Sequence, residues 1–159
     1  MDNALARWAV GHHLFIIFIQ GLSIGLNRFE IACSQDRLAD AERELRDAAE
    51  ILRISATAMK FAADFSEDNY SDTVRPSMPD RFSGLDMVDH QDMLREMKRM
   101  KPVFDTLPPE LSEAKAVLMR ALADAYDSHV FVCDQFVGDQ SSLRTSGTTN
   151  SAHDILAQL

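Results

Sequence analysis

His12, His90 and His129 are the side chains whose type and spacing best suit chemistry, because each falls on an apolar helical stripe. A core imidazole is costly unless hydrogen bonded or ligated. Three at one level therefore raise three options: structural histidines with hydrogen-bond partners, a divalent metal, or haem on a single axial imidazole. A divalent ion could draw on Asp86 or Asp89, and Asp86 and His90 have the i, i+4 spacing of a helix-borne pair. Non-haem di-iron is disfavoured, since bundle sites of that kind need Glu-x-x-His on each of two helices and neither helix here has it. Cys33 and Cys133 show no CxxC or zinc-finger spacing, which argues against a disulfide framework or structural zinc and for a reducing compartment.

These histidines must be positioned by helices. Trp8, His12, Phe15, Ile19, Leu22, Leu26, Phe29 and Cys33 alternate spacings of four and three, the signature of one helical face. Leu14, Ile16, Ile17 and Phe18 fill the other faces, so this first helix is expected to be central, with Gly11, Gly21 and Gly25 leaving room for something large against its backbone. A second helix is read from Asp36 to about Phe65. From Ser66 to Gly84 the chain turns polar, and Pro76, Pro79 and Gly84 argue against a regular helix; a segment this long suggests a binding loop or lid.

A third helix, from Leu85 to Met100, carries His90, Met93 and Met97 on one stripe and is expected to end at Pro102. Pro108 and Pro109 open the fourth, whose inward face is Leu111, Ala114, Leu118, Leu122, Ala125, His129, Val132 and Phe136. After Gly138 comes a Ser/Thr-rich C-terminal tail with a possible short helix at His153–Leu156. No repeat, linker or strand pattern is evident. The expectation is one all-α domain over 1–159: an antiparallel helical bundle of four main helices with a long loop between the second and third. The three stripe histidines would then share one end.

Composition narrows the function. The 159 residues are 46% hydrophobic and 26% charged, as in soluble globular domains, and the net charge of -9 opposes nucleic acid or an anionic membrane surface as partner. Leu14–Leu26 is too short and mixed for a spanning helix, and no signal peptide is evident, so a cytoplasmic location is expected. Phe15, Ile16, Phe18 and Ile19, the Met93 and Met97 pair, and Phe131, Val132 and Phe136 could line an apolar slot for haem, or simply pack.

Three segments bear a family resemblance. His13-Leu14-Phe15-Ile16-Ile17-Phe18-Ile19-Gln20 resembles the distal-side helix of the tryptophan 2,3-dioxygenase superfamily, and Tyr126 to Gly138 resembles the segment that holds its proximal haem histidine. Val74-Arg75-Pro76-Ser77-Met78 with Phe82-Ser83-Gly84-Leu85 is similar to the family's substrate-carboxylate segment, and Arg144 to Ser151 is loosely like its closing Gly/Ser/Thr loop. The wording is nearest the branch that contains monodechloroaminopyrrolnitrin synthase.

The resemblance implies a haem b protein with His129 as proximal ligand to the haem iron and Phe15, Phe18, Ile19 and Phe136 as haem-binding walls. It implies Arg75 as carboxylate anchor, with Thr148 and Thr149 closing over the substrate. The family's distal histidine falls on Ile19, so no catalytic acid or base is assigned; His12 and His90 are candidate replacements. The implied activity is a haem-dependent dioxygenase- or monooxygenase-like oxidation of a carboxylate-bearing aromatic, an indole or phenol, by O2 in secondary metabolism. A second copy covering the haem is implied by the short chain, making a homo-oligomer. The alternative is a non-catalytic haem-binding or partner-binding bundle.

Overall fold

A computed structural model describes residues 3–79 and 87–137, and these are all-helical. α1 runs from Asn3 to Ser34 and is closed by a tight turn in which Asp36 adopts φ 56°, while the Asp36 and Arg37 N–H groups bond the carbonyls of Cys33 and Ala32. α2, Leu38–Ala62, returns antiparallel along α1. The register follows from two glycines: Gly11 lies against Ala62 and Gly21 near Ile51. Alanines at 41, 48, 49, 56, 58 and 62 line the buried side of α2 and let the two backbones approach.

The segment after α2 is ordered where it was expected to be irregular. Ser66 accepts the Asn69 N–H and starts the single turn α3, Glu67–Asn69, which widens into a π-turn at Tyr70–Val74 and tightens into a 3-10 turn at Arg75–Ser77. Burial explains the order, because Tyr70 and Val74 are pinned against the bundle. The first half of the expected loop or lid is thus a run of helical turns packed on the bundle, and residues 80–86 of that segment lie outside the described part.

α4, Val88–Asp105, continues through Pro102 instead of ending there. The proline sits on the exposed side, where the carbonyl it leaves unbonded, that of Lys98, faces water. Inward, Met100 and Phe104 hold the last turn to the core, with Phe104 stacked on Phe29 of α1 at 5.6 Å. A 3-10 turn at Pro109–Leu111 leads into α5, Ser112–Val137, and Lys115 Nζ donates to the Phe104 carbonyl across the junction.

The closest pairings are α1 on α2, α2 on α5 and α1 on α4. Gln20 bonds Asp89 and Glu30 takes a two-pronged bond from Arg99 at 2.6 Å, so α4 runs parallel to α1. The Arg99 guanidinium holds the Glu30 carboxyl below the usual carboxylate range. Gln135 reaches the Ala63 and Phe65 carbonyls at the end of α2, so α5 runs parallel to α2. The expected antiparallel pairing holds for the α1–α2 hairpin, while the other close pairs are parallel. One core joins all four long helices around Leu22, Leu26, Phe29, Leu45, Met97, Met100, Phe104 and Leu118.

α1 is not central, as its all-round apolar character had suggested, but turns one aliphatic face outward at Val10, Ile17, Ile24 and Ile31. It is also long and apolar enough to cross a membrane, against the expectation drawn from its middle. Its opposite face is core.

Candidate functional site

α4 starts some way along α1, level with Gln20, so the expected meeting of the starts of α1 and α4 with the end of α5 is not found. The beginning of α1, the end of α2 with the turns that follow it, and the end of α5 meet at one end of the bundle. There Ala4, Ala63, Tyr70, Val74 and Phe136 form a second apolar cluster, flanked by Trp8, Phe65, Met78 and Val132. Phe136 stacks on Tyr70 at 4.5 Å and on Phe65 at 5.1 Å, and meets the edge of Trp8 at 6.4 Å. Four aromatic rings thus converge from α1, the turn after α2, the π-turn and α5. Trp8 and Tyr70 had no assigned role in the sequence reading. The signal for Trp8 was its four-residue spacing to His12; Tyr70 gave none, because its segment breaks helical periodicity.

His12 packs on Trp8, with ring centroids 4.2 Å apart, and in its neutral form donates Nδ1–H to the Trp8 carbonyl at 2.9 Å. Burial lowers its pKa, the Trp8 bond opposes that shift, and the neighbouring His13 adds to it. His90 is buried, with its ring 6.2 Å from that of Phe15. His129 is half-buried on the inward stripe of α5. Lying seven residues before Phe136, it sits about 10 Å along the helix axis from that residue. Among the described residues no three His, Cys, Asp or Glu side chains are grouped to hold a metal ion. Cys33 is half-buried at the far end of α1, and burial raises its thiol pKa, which suits an inert side chain.

The proposed slot residues divide. Ile19, Met93 and Met97 belong to the main core, with Phe15 packed against it. Phe136 belongs to the aromatic cluster, Phe18 is half-buried, and Phe131 is 57% exposed. Phe131 instead borders an open cleft of about 450 Å³ between α2 and α5, with Arg53, Lys60, Asp124 and Asp127 on its walls. Thr148 and Thr149 lie outside the described residues.

Arg75 begins the 3-10 turn directly after Val74, and its backbone N–H bonds the Tyr70 carbonyl. Its Nη1 is buried and has no hydrogen-bond partner among the described residues. A permanently charged guanidinium with a buried, unsatisfied N–H is expensive unless an anion completes it. That donor suits a carboxylate, whether of a substrate or of a haem propionate. The half-buried His129 imidazole is chemically suited to an axial ligand. The orphaned Arg75 donor is thus the observed feature that would suit an anionic group such as a haem propionate.

Fold and site define an all-helical domain with an aromatic cluster at one end and, next in sequence to the cluster's Val74, an arginine whose buried Nη1 no described residue satisfies. The chain belongs to the SfmD 3-methyl-L-tyrosine peroxygenase family, whose model matches residues 1–114. It is 32% identical over 164 residues to the 3-methyl-L-tyrosine peroxygenase of Streptomyces lavendulae, an alignment covering 99% of this chain and 45% of that protein. The chain thus spans less than half the length of that relative, and most of α5, His129 included, lies beyond the family match but inside a nearly complete pairwise one. No solved structure gives a significant match. These findings name a peroxygenase family; the tryptophan-dioxygenase superfamily and the monodechloroaminopyrrolnitrin branch are not among them.

Proposed function

We propose that the chain is the substrate-holding helical part of a haem-dependent peroxygenase acting on a phenolic amino acid, with 3-methyl-L-tyrosine, the compound named in its relative's activity, as the first candidate. The observation that carries this reading is the buried, unsatisfied Nη1 of Arg75, the residue that follows Val74 of the aromatic cluster. A substrate carboxylate would accept from that N–H and be fixed by a charge-assisted bond. Trp8 and Tyr70, which meet edge to face at 5.9 Å, would offer ring edges at the scale on which a phenol packs. His12, kept neutral by burial, places no second cation beside Trp8.

His129 would hold the haem. Bound there, haem would supply the redox chemistry by which a peroxide transfers one oxygen atom to the ring, water or an alcohol being the other product. A peroxide, the co-reactant class implied by the relative's name, replaces the O2 implied by the resemblance.

The test is reconstitution with hemin followed by addition of 3-methyl-L-tyrosine and hydrogen peroxide. A Soret band lost in His129→Ala and a product heavier by one oxygen atom are expected. No haem uptake would overturn the cofactor assignment, and haem uptake without turnover would leave the non-catalytic haem-binding bundle.

A further inference from the structure

The outward face of α1 carries Val10, Ile17, Ile24 and Ile31, exposed by 49%, 59%, 55% and 43%. They recur every seven residues, so the stripe drifts by only about 20° per repeat and runs straight for roughly 30 Å. Ile54 and Phe61, also seven apart and exposed, lie on the same outer side of the adjoining α2, where Arg7 of α1 reaches over the Phe61 ring at 5.1 Å. Together they make an apolar patch on the order of a few hundred Å², the size that marks an interaction surface.

Charge sets this face apart. Arg28 is the one Lys, Arg, Asp or Glu among the exposed residues of α1, whereas the exposed side of α2 carries Arg43, Arg46, Asp47, Glu50, Arg53 and Lys60. A solvent-facing helix in a chain of net charge -9 would be expected to show charge throughout, and charge depletion is the signature of an interface centre.

We propose that this face binds a second copy of the same chain, two α1 helices packing antiparallel about a two-fold axis near Gln20 and Gly21. The stripe is self-complementary in that arrangement. Its midpoint falls between Gln20 and Gly21, so reversing the helix brings Val10 opposite Ile31 of the partner and Ile17 opposite its Ile24, as an isologous contact requires. Gly21 stands at the crossing, and a Cβ there would meet only Ile51 Cδ1, at 3.6 Å, which leaves its backbone open to close approach. Two acidic copies also repel least through their most charge-poor face.

Sedimentation velocity on the full chain, without cofactor, tests this independently of the functional reading. A dimer at micromolar concentration is expected, reduced to monomer by Ile17→Glu and by Ile24→Glu with an unchanged far-UV spectrum. Gln20→Cys should form a disulfide-linked dimer that Asn3→Cys, far from the axis, does not. A monomeric wild type, a dimer surviving both glutamates, or partition of the wild type into phosphatidylcholine vesicles would overturn the proposal and assign the stripe to another occupant.

Discussion

Gly11 and Ala62 touch where α1 crosses the end of α2: a Cβ added to Gly11 would lie 2.2 Å from the Ala62 Cβ and 2.8 Å from its Cα. Neither atom can yield without moving a helix. Gly11→Ala should therefore destabilise the protein, although alanine is the better helix former by about 1 kcal/mol. Overpacking of this kind costs about 1–3 kcal/mol, so a net loss is expected in urea melts. Ala62→Gly in the same chain should recover only part of it, because the Ala62 Cα at 2.8 Å still obstructs the added Cβ. A Gly11→Ala protein as stable as wild type would mean the helices do not cross there.

That contact also shows how the sequence is read. Gly11 stood out as a place where something approaches the α1 backbone, and the something is a neighbouring helix. The inward stripes of α1 and α5 were legible because burial imposes a 3.6-residue period, and they put His12 and His129 on partly buried faces of their helices. Passage through Pro102 was not legible, since it depends on the Phe29–Phe104 stack, a contact between residues 75 positions apart. Tyr70 was hidden for a related reason: a π-turn shifts its side chains out of helical phase. The parallel α1–α4 pairing rests on Gln20–Asp89 and Glu30–Arg99, exposed polar pairs that carry no periodic signal.

His12 should make stability fall with mild acid. Its pKa is lowered in the folded state from an ordinary 6.5, chiefly by burial. Below 6.5 the unfolded chain therefore binds a proton that the folded chain resists. The contribution is fully present above that value, is lost as pH falls toward the folded pKa, and levels off beneath it. Urea midpoints measured across this window should decline in wild type and decline less in His12→Gln. Equal slopes would show that another group carries the effect.

Arg75→Met should separate stability from function. Its buried Nη1 lacks a partner, so replacing the charge by a flexible apolar chain should leave stability unchanged or raise it. Substrate binding should suffer instead, because a desolvated charge-assisted bond is worth about 2–4 kcal/mol, a rise in KM on the order of 30- to 1,000-fold. The Soret band of the reconstituted protein should persist. A destabilised Arg75→Met with unchanged KM would identify Arg75 as a structural cation.

Phe136 sits two helical turns beyond His129 on the same stripe, and two roles compete for it: a wall of the haem slot, or a prop for the end of α5. The geometry favours the prop. Phe136 is 8% exposed and lies between Tyr70 and Phe65, and the adjacent Gln135 ties α5 to the Ala63 and Phe65 carbonyls. Phe136→Ala should cost about 3–5 kcal/mol, the range for truncating a buried phenylalanine. It should also shift the emission of Trp8, the chain's single tryptophan, to the red as the cluster opens. Phe136→Leu keeps most of the volume but loses both stacks, so about 1 kcal/mol or more should remain missing. If thermal melts show no loss in either variant while the haem spectrum moves, the ring is a wall of the slot. If stability and Trp8 emission change first, haem binding weakens only because the end of α5 has come loose.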